Sequence, residues 1–217
     1  MEPGETGLDL YGQDRYLEAL IHYELILTGD PNNSAALMGK AISLDQLGYH
    51  EDALEYCARS TAVVPGNVER LRDMGNIMSS TRQLGKARVY YEDALSVEPR
   101  DVESLMGLGD VLIGLGLYDK AIACFSRVLD IDHRNTGALL EIARTLAMQG
   151  NHKAARVCSK DVLRREPRNI DALLIMGFSS HMLGMQDEAR ACIKRAWDLG
   201  PGNEMVATAA AVVRGRQ

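Results

Sequence analysis

Three of the four cysteines recur at one spacing, which makes them the first candidates for chemistry. Cys124, Cys158 and Cys192 are each 34 residues apart, and Cys57 stands outside this series. A column of thiols could suggest a metal ladder, but no Cys-x-x-Cys pair or nearby histidine accompanies it. Cysteines on helices roughly 10 Å apart cannot close a disulfide or share one metal shell. We interpret them as small buried residues of one helix face, and we expect neither a metal nor a cofactor.

Groups for acid–base and phosphate chemistry are present, but no catalytic spacing accompanies them. The carboxylate pairs Glu51–Asp52 and Asp187–Glu188 fall at predicted helix starts, where negative charge favours the helix dipole. The chain has no G-x-S-x-G, H-E-x-x-H, Walker or dinucleotide-binding motif. The histidines are scattered along the chain: His22, His50, His133, His152 and His181. We therefore expect no catalytic residue and no enzyme activity.

The overall composition is that of a globular protein with an aliphatic core. Of 217 residues, 46% are apolar and only 5% are aromatic, and the net charge is -6. An acidic balance argues against general nucleic-acid binding, which needs a basic face. The N-terminus has no signal-peptide pattern, and no apolar run approaches the length of a membrane span. We expect a cytoplasmic protein without nucleic-acid or membrane partners.

A period of 34 residues runs through most of the chain. It includes a leucine column and a glycine or alanine column in addition to the cysteines. An alanine column comprises Ala19, Ala53, Ala87, Ala121, Ala155 and Ala189. A capping column comprises Asn33, Asn67, Asp101, Asn135, Asn169 and Asn203, and a proline column comprises Pro31, Pro65, Pro99, Pro167 and Pro201. Repetition at this period indicates a solenoid or another repeat array.

Each column has a physical reason within a pair of antiparallel helices. The asparagine or aspartate caps the first helix, and the proline before it ends the preceding helix. Small residues allow the two helices to approach closely, and Gly48, Gly116, Gly150 and Gly184 make the turn between them. Arg82 stands in the third turn instead of glycine, so we expect a looser turn there. Residues 102–115 and 118–129 are the clearest predicted pair.

These columns resemble the tetratricopeptide repeat, a 34-residue helix–turn–helix family, over at least residues 14–201. The resemblance implies an all-α fold, a right-handed α-solenoid of stacked helical hairpins. The middle repeat matches the family signature at Leu105, Leu108, Gly109, Leu112, Ala121, Phe125 and Val128. Lys40 and Ser180 depart from the apolar pattern, so we expect weaker packing in their repeats.

The grid divides the chain into three parts. Residues 1–33 form a degenerate or half repeat, in which residues 1–13 give at most a short helical turn and residues 15–28 a helix. Residues 34–203 form five consecutive repeats. Residues 204–217 form a capping or truncated helix, helical over about 204–214, which is apolar on all sides. We interpret this helix as the start of a further repeat or as a contact with another molecule, including a second copy.

In the resembled family the first helices line a concave groove that holds a peptide. On that face we predict a groove for an apolar or amphipathic segment, in which Arg72, Asn76 and Arg144 fix its backbone or a carboxylate. The predicted groove residues are Met38, Ile42, Arg72, Asn76, Met106, Asp110, Ile113, Leu140, Arg144, Met148, Leu174, Phe178, His181 and Met182. The side chains at the fifth and ninth repeat positions could instead pack between adjacent first helices.

The two-carboxylate clamp of some family members is not matched here. Arg72 and Asn76 fit its first part, but Asp110, Gly137 and Glu141 replace the remaining asparagine and bases.

Two functions stay open. The first is a scaffold or adaptor that binds a peptide segment of another protein. The second is a non-catalytic assembly or regulatory module of a larger protein or complex, a class that includes self-association through residues 204–214.

Overall fold

The computed structural model describes residues 6–64, 66–200, 202 and 204–214, with side chains up to residue 211. This part of the chain is all α-helical and contains no strand. Its helices are α1 (Gly7–Gly12), α2 (Tyr16–Gly29), α3 (Ser34–Gln46), α4 (His50–Val63), α5 (Val68–Ser80), α6 (Leu84–Val97), α7 (Val102–Gly114), α8 (Tyr118–Ile131), α9 (Thr136–Met148), α10 (His152–Arg165), α11 (Ile170–Met182), α12 (Gln186–Leu199) and α13 (Glu204–Arg214). The all-α prediction is confirmed.

An asparagine or aspartate caps the first helix of the five hairpins that follow α2, as the repeat predicts. The side-chain oxygen accepts a hydrogen bond of 2.8–3.0 Å from the backbone N–H three residues later. The capping residues are Asn33, Asn67, Asp101, Asn135 and Asn169. Asn203, Pro65 and Pro201 of the repeat columns lie outside the described residues. The caps therefore fix where five first helices begin.

The turns within the hairpins share one backbone conformation. Gly48, Gly116, Gly150 and Gly184 have φ between +74° and +84°, where glycine carries no steric penalty. Arg82 has φ +60°, and its turn keeps the Gln83 N–H to Met78 carbonyl bond seen for Tyr49 and Leu44. The prediction of a looser turn at Arg82 is wrong, because the arginine itself adopts the left-handed conformation.

Inter-residue contacts divide the chain into two compact units, Met1–Leu115 and Gly116–Gln217, called the N-terminal and C-terminal units below. In the N-terminal unit, each of α1, α3 and α5 contacts the next first helix, whereas α2, α4 and α6 each pack between consecutive first helices. The first helices therefore form the inner layer of this unit. The same arrangement holds in the C-terminal unit, where α9, α11 and α13 form the inner layer.

Two tyrosines fill the inter-repeat space of the N-terminal unit. The Tyr23 ring packs against Gly7 and Gly39, and a Cβ on either glycine would lie less than 3.0 Å from a ring carbon. The Tyr91 ring occupies the equivalent space between Gly75 and Gly107. In this unit each of the two tyrosine rings thus packs against glycine on both flanking first helices.

Lys40 and Ser180, the two residues that depart from the apolar repeat pattern, both have polar partners. Lys40 is buried, but its ammonium group contacts Glu24 and lies 4.0 Å from the centroid of the Tyr56 ring. Ser180 is also buried, and its hydroxyl donates a 2.6 Å hydrogen bond to Glu188. The expectation of weaker packing in these repeats thus overlooked partners on neighbouring helices. These partners lie on a different helix from Lys40 and Ser180, so the pattern within one helix does not show them.

Candidate protein-interaction surfaces

The inner face of the N-terminal unit carries seven of the predicted groove residues. Met38 is largely buried, and its sulfur lies 3.6 Å from that of Cys57 on α4. The other six remain accessible to different degrees. Ile42, Arg72, Met106 and Ile113 are half-buried, while Asn76 and Asp110 are exposed.

Asn76 and Arg72 are both held by neighbouring side chains. The Tyr91 hydroxyl donates a 2.6 Å hydrogen bond to the Asn76 carbonyl oxygen, which orients the amide NH₂ group of Asn76 as a donor. Arg72 lies 2.8 Å from Glu103 and 3.5 Å from Asp101. The arginine predicted to bind a partner's carboxylate is therefore already paired within the unit.

A cavity of about 260 Å³ opens on this inner face beside α1, α3 and α5. Its apolar lining includes Leu8, Ile26, Met38 and Ile42. Asp73, at the sixth repeat position, also lines the cavity, although the predicted groove positions omit it. One sequence signal could have identified Asp73, because the equivalent residues of the flanking repeats are Gly39 and Gly107.

The environment of Asp73 is unusual for a carboxylate. Burial raises the pKa of Asp73 to about 6, although the nearby guanidinium of Arg72 partly opposes this rise. In the described part of the chain, no hydrogen bond or ion pair reaches the Asp73 side chain. Room for this carboxylate exists because the second helix beside it carries the small Cys57, where α2 and α6 carry Tyr23 and Tyr91.

The inner face of the C-terminal unit is more apolar at its surface. Met148, Phe178 and Met182 are 51%, 44% and 47% exposed, and Leu140 is half-buried. Leu174 and His181 are both largely buried, although Leu174 still lines a pocket beside Phe178. His181 points to the α11–α12 turn, where its Nδ1 lies 3.0 Å from the Gln186 side-chain oxygen.

An apolar pocket of about 470 Å³ adjoins Phe178 between α11, α12 and α13. Leu174, Ile193, Met205 and Ala209 contribute its apolar lining, and Glu204 and Thr208 add polar atoms. The Phe178 ring also makes an edge-to-face contact with His152, with ring centroids 5.7 Å apart. This contact holds an exposed aromatic side chain in one orientation beside the pocket.

Arg144 is the predicted cation of this face. Its guanidinium lies 3.4 Å from Glu141 one helical turn away, and its side chain is 47% exposed. An exposed pair of this kind contributes at most about 1 kcal/mol, so it does not fix the arginine strongly. Arg144 thus differs from Arg72, which is largely covered and contacts two carboxylates.

The candidates for metal or thiol chemistry are separated in the fold. All four cysteines are unbonded to one another, and burial raises the pKa of the Cys57 thiol to about 12. Within the described ranges, no group of histidines, cysteines and carboxylates is arranged to hold a metal ion. Among the described helices, none combines the length and apolar character of a membrane span.

Comparisons with known proteins agree with the repeat grid. Two family models, each described as a tetratricopeptide repeat, match residues 5–67 and 80–138, together more than half of the chain. A search of curated protein sequences finds no significant match.

Solved structures share the fold at low sequence identity. PilW, a type IV pilus biogenesis factor, is 20% identical with a TM-score of 0.85, and the alignment covers 94% of each chain. The pilF protein of Pseudomonas aeruginosa is 19% identical with a TM-score of 0.78, covering 95% of this chain and 94% of that one. YrrB is 18% identical with a TM-score of 0.68, covering 87% and 97%. These similarities confirm the predicted α-solenoid class. With the 34-residue grid, the capped hairpins and the two family matches, they show that the chain belongs to the tetratricopeptide repeat family.

Proposed function

We propose that this protein is a non-catalytic adaptor that binds an apolar or amphipathic segment of a partner protein on the inner face of its C-terminal unit. One observation carries the proposal: Met148, Phe178 and Met182 are about half exposed on the inner-layer helices α9 and α11. Exposed methionine and aromatic side chains grouped on one face are typical of protein-binding surfaces.

The neighbouring pocket adds a place for an anchoring side chain. It has about 470 Å³ of space and a mainly apolar lining beside Phe178. An apolar side chain that entered it would bury surface against Leu174, Ile193 and Met205, in the manner of an interface anchor. The fold is compatible with this role, since YrrB is described as a tetratricopeptide repeat protein with an unusual peptide-binding site.

Arg144 gives the bound segment a polar contact. Its weak pairing with Glu141 can be exchanged for a carboxylate or backbone carbonyl of the partner. Arg72 does not contact the segment, because it is in the N-terminal unit and is already paired with Glu103 and Asp101. Asn76, whose side-chain oxygen accepts a hydrogen bond from Tyr91, also belongs to the N-terminal unit and is not part of this surface.

A peptide-display selection against the full-length chain tests the proposal. We expect selected peptides to carry spaced apolar residues, and their affinity to fall at least tenfold in a Met148→Glu/Phe178→Glu double variant. Val157→Glu is the matched control, because Val157 is 56% exposed on a second helix of the same unit. Unchanged peptide affinity in a folded double variant would refute the proposed surface.

The second candidate function is assembly through α13. Val206 and Ala210 bury one side of α13, whereas Met205 is 62% exposed and Ala207 and Ala211 are also exposed. This small, mostly apolar outer side favours a contact with another molecule. If self-association is the function, light scattering should show a concentration-dependent rise in mass that Met205→Lys abolishes, while a constant monomer mass would exclude it.

A further inference from the structure

The cavity of the N-terminal unit contains a carboxylate without a cation, although two arginines are close to it. Arg70 Nε donates a 3.0 Å hydrogen bond to the Ser60 hydroxyl. Arg72 contacts Glu103 and Asp101. Both guanidinium groups thus have other partners, and Asp73 has no hydrogen bond or ion pair among the described residues.

Asp45 provides the comparison within the same inner layer. Its carboxylate accepts hydrogen bonds from the Ser80 hydroxyl at 2.9 Å and pairs with His50 Nδ1 at 2.8 Å. A covered carboxylate ordinarily has such partners, because burying it without them costs free energy. Asp73 has no such partner in the part of the chain that the structure describes, and a cation that entered the cavity would provide one.

The walls around Asp73 specify what kind of cation fits. Leu8, Ile26, Met38 and Ile42 give the cavity an apolar lining, and Glu69 adds a second carboxylate. A lysine side chain combines four methylene groups with a compact ammonium group, so it can cover apolar surface and end at a carboxylate. A planar guanidinium binds a carboxylate best in one fork geometry, whereas a compact ammonium group can approach the carboxylate from several directions.

We propose that this cavity binds a lysine side chain from a partner protein, with the methylene stem against Met38 and Ile42 and the ammonium group at Asp73. Charge complementarity supports this occupant, since the carboxylates of Glu69 and Asp73 line the cavity. Among the described residues that line it, Arg70 is the one cation, and it is hydrogen-bonded to Ser60. The inference concerns a different unit from the proposed apolar surface and does not depend on it.

Binding at this site should depend on pH. Since the pKa of Asp73 is about 6, its carboxylate is charged at pH 7.5 and largely protonated at pH 5, where it cannot pair with an ammonium group. The charged and titratable groups around Asp73 are Glu69, Arg70, Arg72, Glu103, Tyr11, Cys57 and Tyr91. Burial raises the pKa of the Tyr11, Cys57 and Tyr91 side chains, so those three stay neutral over this range.

The test uses the full-length chain and three small probes. Nα-acetyl-lysine methylamide carries the proposed group, the norleucine analogue keeps an aliphatic stem without the amine, and the arginine analogue carries a guanidinium. Dissociation constants are measured from the NMR shifts of the Met38 and Ile42 methyl groups. We expect the lysine probe to bind at least about tenfold more tightly than the norleucine probe at pH 7.5, and to lose this advantage at pH 5.

Two variants identify the carboxylate responsible. Asp73→Asn should reduce lysine binding to the level of norleucine and remove its pH dependence. Asp45→Asn, on the same inner layer, should leave the lysine preference unchanged. Equal binding of the lysine and norleucine probes, tighter binding of the arginine probe, or a lysine preference that survives Asp73→Asn would each overturn the inference. Since Met148→Glu/Phe178→Glu alters only the other unit, it should not affect these measurements.

Discussion

At the scale of single residues, side-chain size is matched between neighbouring helices. Tyr23 and Tyr91 project from second helices into space that glycines leave on both adjacent first helices. Cys57 occupies the same repeat position and leaves room for Asp73 instead of a glycine. In the N-terminal unit, the size of the residue at the sixth repeat position therefore matches the size of the side chain that faces it from the preceding second helix.

This matching predicts the effect of enlarging one glycine. Gly39→Ala should lower the free energy of unfolding by about 1–3 kcal/mol, because the new methyl group overlaps the Tyr23 ring and forces repacking. Urea denaturation of the purified variant measures this loss. Gly85→Ala is the control: Gly85 lies in α6 with open space around its Cβ position, so alanine there should be neutral or stabilising. Equal losses in both variants would contradict the packing explanation.

Arg82 allows the converse test. Its φ of +60° costs roughly 1 kcal/mol in a residue with a side chain, whereas four equivalent turns use glycine. Arg82→Gly should therefore raise the free energy of unfolding by about 0.5–1 kcal/mol in thermal or urea denaturation. Gly48→Ala, in the matching turn, should lower the stability by a similar amount. A destabilised Arg82→Gly variant would show that the arginine side chain contributes more than its backbone costs.

Asp73 gives a prediction for stability against pH. Its folded pKa of about 6 lies above the usual value of 3.8, so the folded state binds the proton more tightly than the unfolded state does. At pH 7, Asp73→Asn should be more stable than the wild type by about 1–2 kcal/mol, because it removes an unpaired, partly buried charge. The difference should shrink as the pH falls through 6 towards 4. A difference independent of pH would argue against a raised pKa.

At the scale of helices, hydrogen bonds between side chains join neighbouring helices in addition to apolar packing. Glu188 of α12 accepts hydrogen bonds from Arg156 of α10 at 2.5 and 3.1 Å, and from Ser180 of α11. The hydrogen bond from Arg156 is the main reason that the pKa of Glu188 is lowered, although burial partly opposes it. One carboxylate thus links three successive helices of the C-terminal unit.

The lowered pKa of Glu188 affects the pH dependence of stability in the opposite direction to the raised pKa of Asp73. The contribution of Glu188 to stability is present above the unfolded pKa of about 4.5 and is lost as the pH falls through the lower folded pKa. Glu188→Gln should therefore cost about 1 kcal/mol or more at pH 7, and the cost should fade in acid. Asp161→Asn, which breaks the exposed pair with Arg164, should cost little at any pH. Denaturant titrations at several pH values compare the two variants.

The sequence predicts the positions of the helices, but it does not show which side chains on their surfaces are buried. The 34-residue columns located the helix pairs, because caps, small residues and apolar stripes are local requirements of a hairpin. The burial of Met38, Leu174 and His181 was not evident, since it depends on the neighbouring helix. Asp73 was missed because its importance lies in the small size of Cys57, a residue on a different helix.

At the scale of the whole molecule, the repeats give the chain a one-dimensional organisation. Within each unit, helices contact the elements immediately before and after them, and first helices also contact the next first helix, as expected for a repeat array. The net charge of -6 is consistent with an inner face in the N-terminal unit where Glu69, Asp73 and Glu103 outnumber the arginines. An apolar surface in one unit and an acidic cavity in the other would present different chemistry to a partner.

The tyrosine–glycine matching also limits how the gene could lengthen or shorten this array. Removing one repeat, residues 34–67, would bring the Tyr23 ring against Asp73 where it now meets Gly39. Removing two, residues 34–101, would bring it against Gly107, which already accommodates a tyrosine. We expect the two-repeat deletion to express as a folded protein and the one-repeat deletion to be the less stable of the two. In this region, the tyrosine–glycine pairing recurs every 68 residues, which is twice the repeat period.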